Sequence, residues 1–284
     1  MIDETAEEIA EMRTHSSSAV AVKAARALED LLDDEFPTVE EYVRTLERNS
    51  SALRRANPSH ASLVTTQHEI VAAVEDADAE SVAAAKERTR EAIGAVVERV
   101  ETGKHEAAEN VAEELADGMT LLTHDYSTTV LEAIETAAEG GAYLDVYVTE
   151  GRPRYMGRRT ARRLAEIDRV SATLIVDGAA GHYMSAVDEV LLGMDCIVDD
   201  HLYNRVGTYP LAAVADDGDV PVVVAGSSAK LVDEGGFRFE NDYRISTEVL
   251  LEPPEGFEVE NPAYDATPIR LLDRVVTDAG VRQL

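Results

Sequence analysis

The sequence predicts an α/β protein: a helical N-terminal domain over residues 1–116, then a Rossmann-like parallel-sheet domain over residues 117–284. Three observations carry this. The first part is a succession of helical patterns separated by polar or proline-containing turns. From Met119 the period changes, and short apolar runs rich in β-branched residues alternate with helical patterns at intervals of about twenty to thirty residues, the mark of parallel βαβ units. At 45% hydrophobic residues the chain has enough apolar material for a sizeable core, which excludes global disorder.

In the helical part, Asp3 caps a short acidic helix running to about Met12. A polar interruption, Arg13-Thr14-His15-Ser16-Ser17-Ser18, precedes an Ala-rich helix over Ala19–Leu32 with Ser18 as its N-cap. Arg13 and the serines beside a helix start could hold a phosphate, although a plain capped turn has the same spelling. Phe36-Pro37 breaks the chain, and Thr38 with Glu41 forms a capping box for a helix that ends near Asn49-Ser50. Arg54 and Arg55 sit in the next polar turn, as surface ion-pair partners or as an anion clamp. A helix over roughly Leu63–Val74 follows. The segment from about Ala79 to Ala116 is helical, with Ile93, Val96, Val97 and Val100 on one stripe and Gly103 as a break.

In the second part, strands are expected at Met119–Leu122, Tyr143–Val148, Ala172–Val176, Glu189–Leu192 and Val220–Val224. Helices fall between them, at about Thr128–Ala138, Thr160–Ile167, Ala180–Ala186 and Pro210–Val214. Cys196–Asn204 is too polar for a core strand and reads as a small hairpin. Beyond Ala225 the chain is irregular until Asn261-Pro262, where it returns to pack on the sheet.

The net charge of −30, from 56 acidic and 26 basic residues, repels polyphosphate and argues against a direct nucleic-acid contact. Lysine occurs only at positions 23, 86, 104 and 230. The acids are spread along the chain rather than gathered in a tail. That favours a generally acidic, lysine-poor surface of the kind salt-loving organisms use over a dedicated acidic interaction face. The expectation is a cytoplasmic protein: no apolar run reaches membrane-spanning length, and MIDETAEEIAEM is no signal peptide. One cysteine, Cys196, excludes a disulfide framework and a multi-thiolate metal centre. With neither GxGxxG after the first strand, nor a Walker-A loop, nor zinc-binding spacing, no cofactor or metal is expected.

Ligands of open α/β sheets bind beyond the carboxyl ends of the strands, so the residues that follow each strand are informative. The first strand runs into Thr123-His124-Asp125 and the second into Thr149-Glu150-Gly151-Arg152. Asp177-Gly178, Gly193-Met194-Asp195 and Gly226-Ser227-Ser228 with Lys230 end the others. Polar groups converge on one edge, as a small-molecule pocket requires. Asp125 and Asp195 could form an acid/base pair if burial or proximity raised one pKa; helix capping is the plainer role. Arg152, Arg205 and Lys230 suit phosphate, or surface ion pairing. Cys196, in an apolar context, reads as an inert buried thiol.

These residues carry a resemblance. Leu122-Thr123-His124 with Ser127, Tyr147-Val148-Thr149-Glu150 with Arg152-Pro153, Val176-Asp177 with His182-Tyr183-Met184, and Gly193-Met194-Asp195 occur in this order. Asn204-Arg205-Val206-Gly207-Thr208 and Asn261-Pro262-Ala263-Tyr264-Asp265-Ala266-Thr267-Pro268 follow. The chain resembles the superfamily of translation initiation factor 2B alpha, beta and delta subunits, ribose-1,5-bisphosphate isomerases and methylthioribose-1-phosphate isomerases. The resemblance implies pairing through the C-terminal domain into a dimer or higher homo-oligomer. The isomerases carry a catalytic cysteine after the Thr-His pair and an aspartate in the Gly-x-Asp segment. Here the aspartate is Asp195, and Asp125 stands where the cysteine should be. Asp125-Tyr126-Ser127 looks more like the alpha subunit of initiation factor 2B. The isomerases' phosphate-binding Arg-Gly-Ala-Gly turn appears only as Arg13-Thr14-His15-Ser16.

The resemblance implies phosphate contacts from Arg13, Ser16, Arg55, Ser127, Arg152, Asn204, Arg205 and Lys230. An ionised Asp125 beside Asp195 would disfavour an anionic phosphosugar, whereas burial that kept it protonated would preserve catalysis. The leading expectation is therefore a non-catalytic, alpha-subunit-like protein. It would bind a sugar phosphate or nucleoside monophosphate and act through association with itself or with a translation initiation factor. The alternative is a phosphosugar aldose–ketose isomerase in which Asp195 and Asp125 exchange protons. A third reading is a structural interaction protein without a ligand.

Overall fold

A computed structural model describes residues 2–11, 17–58, 60–75, 79–232, 239–252 and 255–284. The chain divides into two compact units, one over Met1–Gly103 and one over Lys104–Glu234 with Glu240–Leu284.

The first unit is built from α1 (Ile2–Ala10), α2 (Ser17–Ala27, extended by a 3-10 turn over Leu28–Leu32), α3 (Val39–Ala56), α4 (Ala61–Glu75) and the N-terminal part of α5 (Val82–Ala112). Leu28, Tyr42, Leu46, Leu53, Leu63, Ile70 and Ile93 are among the buried side chains that fill its core. The Tyr42 hydroxyl escapes the penalty for burial by donating to Thr89 Oγ1 at 2.6 Å. Thr38 caps α3 as expected, accepting from the Glu41 N–H at 3.2 Å.

Three local expectations are corrected. Helix α3 does not end near Asn49-Ser50 but runs on to Ala56, because Ser50 and Leu53 face the core. The polar groups are satisfied: Ser50 Oγ donates to the Gln67 carbonyl of α4, and Asn49 Nδ2 to the Thr45 carbonyl one turn back. Ser18 lies inside α2 rather than at its N-cap. Gly103 is a buried position within α5 and does not break it; the roughly 1 kcal/mol cost of a helical glycine is small against a 31-residue ladder.

The second unit begins with β1 (Thr120–Thr123), α6 (Thr128–Glu139), β2 (Leu144–Thr149), α7 (Met156–Leu164) and β3 (Val170–Ile175). The short α8 (Ala180–Tyr183) follows, then β4 (Glu189–Gly193), β5 (Cys196–Val198), β6 (His201–Arg205), α9 (Thr208–Asp217) and β7 (Val222–Ala225). The chain closes with β8 (Leu231–Val232), β9 (Tyr264–Pro268), β10 (Arg274–Thr277) and β11 (Gly280–Gln283). All five expected strands are present within two residues of their expected ends.

Joined by β10 and β11, they form one seven-stranded sheet in the order β11-β10-β7-β4-β1-β2-β3, parallel except for β11, which runs antiparallel to β10. The order reverses between β1 and β4, where one half of the sheet winds outward through β2 and the other through β7. Side chains such as Leu121, Val146, Val148 and Leu191 fill the core on one face. Leu122, Val190, Leu192 and Val224, one residue out of phase, fill the other. The expected hairpin at Cys196–Asn204 is β5–β6. It is larger than the sequence suggests, since β8 and β9 join it as a four-stranded sheet. Four of its residues, Cys196, Val198, Leu202 and Asn204, are buried. The C-terminal return therefore feeds both sheets, through β9 and through β10.

Candidate active site

Where the strand order reverses, the loops after β1 and β4 part and leave a crevice at the carboxyl edge. Asp125 follows β1 and Asp195 follows β4. Arg205, the last residue of β6, joins them. Its Nε stands 3.5 Å from Asp125 Oδ2 and 3.7 Å from Asp195 Oδ2, so one guanidinium bridges two carboxylates. The same guanidinium lies over the Tyr264 ring at 4.8 Å. All three charged side chains are at most 15% exposed.

Asp125 is held unusually. Its backbone is in the left-handed region, φ +59°, which aspartate tolerates better than most residues. The Thr160 hydroxyl of α7 donates to its carbonyl at 2.5 Å. The Asp125 Oδ1 atom is buried without a hydrogen-bond partner among the described residues, and so is Arg205 Nη1. Burial raises the Asp125 pKa above the ordinary 3.8, more than Arg205 and His124 lower it, and Asp195 adds to the rise. Burial opposes the charge on Arg205, yet Tyr264, Asp195 and Asp125 together push its pKa up. Two buried polar atoms left open beside a charged triad suit an incoming polar ligand.

The neighbouring groups are positioned by the turn chemistry of the sequence. His124 Nε2 donates to the Val206 carbonyl at 2.9 Å, and Nδ1 lies 2.6 Å from the Thr149 hydroxyl, so the imidazole is held at both nitrogens. Gly207, φ +109°, packs against that ring; a Cβ there would stand 2.6 Å from His124 Cε1. Asp265 accepts from the backbone N–H of Gly207 at 2.6 Å and of Tyr209 at 3.1 Å, tying β9 to the start of α9. Gly193 admits Ser127 in the same way, since a Cβ would meet Ser127 Oγ at 2.5 Å.

The sequence-selected residues fall into four groups. Asp125, Asp195 and Arg205 come together as the triad. Arg152 lines the same cleft, and its guanidinium donates to the Val249 carbonyl at 3.1 Å. Three others serve the scaffold: Ser127 caps α6 through the Val130 N–H, Asn204 Nδ2 donates to Thr208 Oγ1, and buried Lys230 Nζ donates to the Met194 carbonyl at 2.7 Å. Burial pulls the Lys230 pKa down against the pull of Asp195. Arg55 belongs to the first unit and donates to Ser51 Oγ at 2.7 Å, while Arg13 and Ser16 lie outside the described residues. Asp177, expected at the pocket edge, is spent on the backbone, accepting from the Gly151 and Arg152 N–H groups at 2.8 Å each. The Cys196 thiol is fully buried and its pKa is pushed up by burial, as an inert thiol requires.

The cleft is narrow and is lined by His124, Asp125, Gly151, Arg152, Arg154, Arg205, Arg244 and Asn261 among others. Arg154 and Arg244 are lining residues that the sequence reading passed over. The signal for Arg154 was available: a second arginine two residues from Arg152 in a chain with more than twice as many acids as bases. Arg244 lies in the irregular stretch after β8, where periodicity says nothing.

The fold and the site together define an α/β protein whose Rossmann-like sheet carries an acid pair and an arginine at its switch point. It belongs to the Initiation factor 2 subunit family, matching it over residues 13–283. It is 34% identical to a ribose 1,5-bisphosphate isomerase of Haloterrigena turkmenica, over 97% of this chain and 88% of that protein. A ribose 1,5-bisphosphate isomerase of Pyrococcus furiosus is 32% identical over 98% of this chain and 89% of that protein. Among solved structures, a Pyrococcus horikoshii protein described as translation initiation factor eIF-2B superposes with a TM-score of 0.83 at 25% identity, covering 99% of this chain and 96% of the other. No helix among the described residues is long and apolar enough to cross a membrane.

Proposed function

We propose that this protein is a phosphosugar aldose–ketose isomerase of the ribose-1,5-bisphosphate type, working through Asp195 and Asp125. The observation that carries the reading is the buried acid pair on one arginine, with Asp125 raised in pKa. The expected obstacle to catalysis was an ionised Asp125 beside an anionic sugar. A carboxyl group that keeps its proton removes that obstacle and takes over the part of a neutral acid. The relatives support this alternative over the non-catalytic expectation: two that match nearly the whole chain at 30% identity or more carry the isomerase name.

The isomerisation needs a proton on the ring oxygen as the C1–O4 bond opens. The C2 hydrogen then passes to C1 with its bonding electrons, while the C2 hydroxyl gives up its proton and becomes the ketone. Product and substrate have the same atoms. Asp125, holding its proton, is the acid, and Asp195 accepts the proton that the sugar gives up. Arg205 holds negative charge between them through the exchange. The buried walls exclude water from a reactive open-chain intermediate. Self-association, which the resemblance implies, belongs to the same proposal, and light scattering on the purified protein tests it.

The test is turnover of ribose 1,5-bisphosphate to ribulose 1,5-bisphosphate by the full chain, and its loss in Asp195→Asn. Absence of turnover with tight ligand binding would instead favour the non-catalytic, alpha-subunit-like reading, whose specific support is the aspartate at position 125 where related isomerases have cysteine.

A further inference from the structure

Four arginines line the cleft, Arg152, Arg154, Arg205 and Arg244, against a single lining carboxylate, Asp125. In a chain of net charge −30 that concentration of positive charge is the reverse of the average surface. Arg205 bridges Asp125 and Asp195, and Arg152 rests on the Val249 carbonyl and over the Tyr155 ring.

The other two share one acid. Arg244 Nη2 stands 3.2 Å from Glu248 Oε1, with Asp242 at 3.6 Å from its Nη1. Arg154 Nε reaches the same Glu248 Oε1 only at 4.0 Å, and Glu248 is its one carboxylate within ion-pair reach among the described residues. Both guanidiniums and the Glu248 carboxylate are 20% exposed or less. Glu248 is also touched by Asn261 Nδ2, at 3.3 Å from Oε2. Three cleft residues thus converge on one carboxylate: two guanidiniums and an amide, all hydrogen-bond donors. Burial first, and then the charges of Arg244 and Arg205, lower the Arg154 pKa, and Glu248 and Asp125 offset only part of that.

We propose that Arg154 and Arg244 form the seat of a phosphate monoester in this cleft, and that Glu248 occupies the seat until the phosphate displaces it. The chemistry follows from the donors. Two guanidiniums and an amide present planar and single N–H groups to one carboxylate, and a phosphate dianion brings an extra oxygen and an extra charge to the same place. At 4.0 Å Arg154 is too far for a direct hydrogen bond to Glu248, so the carboxylate leaves that guanidinium underused; a larger tetrahedral anion reaches both. Glu248 sits in a single 3-10 turn, Ser246–Glu248, whose backbone hydrogen bonds among the described residues are local, so its withdrawal disturbs no strand or helix ladder. The assignment concerns anion binding and does not rest on the isomerase reading.

The experiment is calorimetric titration of inorganic phosphate into the full chain and its variants at constant ionic strength, with thermal unfolding of each variant to verify folding. Arg154→Gln weakens phosphate binding by about tenfold or more, and Arg154→Lys, which keeps the charge without the fork, recovers part of the loss. Glu248→Gln tightens phosphate binding severalfold, because it removes a competing charge. The sign of that change discriminates: were Glu248 only a staple that orients the two arginines, its loss would weaken binding. Unchanged affinity in Arg154→Gln, weaker binding in Glu248→Gln, or no phosphate binding by the wild-type chain overturns the proposal. Turnover is read in parallel. A wild-type chain that turns over sugar without binding phosphate counts against this site alone, and a wild-type chain that binds phosphate without turnover counts against the isomerase reading alone.

Discussion

Asp125→Asn separates the two protonation states on which the proposed chemistry depends. Asparagine has the shape of a neutral aspartic acid but cannot exchange a proton. Were Asp125 ionised, its contact with Arg205 at 3.5 Å would contribute roughly 5 kcal/mol at an effective dielectric of about 20, before the cost of burial. Removing one partner of such a pair costs about 3–5 kcal/mol in net stability. The raised pKa says that burial outweighs this attraction. A protonated Asp125 has little ion-pair energy to lose, so Asp125→Asn should not destabilise the fold near neutral pH, and it removes the proton uptake that folding of the wild type requires there. The same substitution should lower turnover of ribose 1,5-bisphosphate by about 10²–10⁴-fold, the usual worth of a general acid, with ligand affinity nearly unchanged.

The pH dependence supplies a second readout. Between the ordinary 3.8 and its raised value, the folded chain holds a proton on Asp125 that the unfolded chain has released. The folded state binds more protons there, so this group's contribution to stability falls as pH rises through that interval. Urea unfolding of wild type and variant across that range should show the variant gaining on the wild type as pH increases. A loss of several kcal/mol in Asp125→Asn at neutral pH, or a gap that moves the other way with pH, would refute a proton-bearing Asp125.

Two further outcomes follow from the geometry. Gly207→Ala places a Cβ against the His124 ring at a φ of +109°; we expect a loss of about 2–3 kcal/mol in urea unfolding, and a change below about 0.5 kcal/mol would show that the turn can yield. With a net charge of −30, the melting temperature should rise from low to molar potassium chloride as self-repulsion is screened, and a steady fall would contradict that account.

The five parallel strands and the helices between them were legible because each is a local pattern: an apolar run of strand length, a polar turn, a capped helix. So were Asp125, Asp195 and Arg152, because residues that follow a parallel strand reach the carboxyl edge whatever the rest of the chain does. The errors arose where local polarity and tertiary burial disagree. Asn49-Ser50 looks like a helix end, yet Ser50 and Leu53 are buried and α3 continues; Gly103 looks like a break, yet the helix passes through it.

The sequence by itself determined the fold class, the edge on which the candidate site lies and the aspartate that stands where the resemblance puts a cysteine. Only the tertiary structure decided what that aspartate is. The pKa of Asp125 depends on burial and on Arg205, Asp195 and His124, and two of those three arrive from other strands of the chain. Nor could sequence order separate the residues that line the cleft from those that brace it. Lys230 turns inward to the Met194 carbonyl and Asn204 to the Thr208 hydroxyl, while Arg154 and Arg244, ninety residues apart, share one carboxylate. Electrostatic energy depends on distance and solvent exclusion, which the chain acquires only on folding.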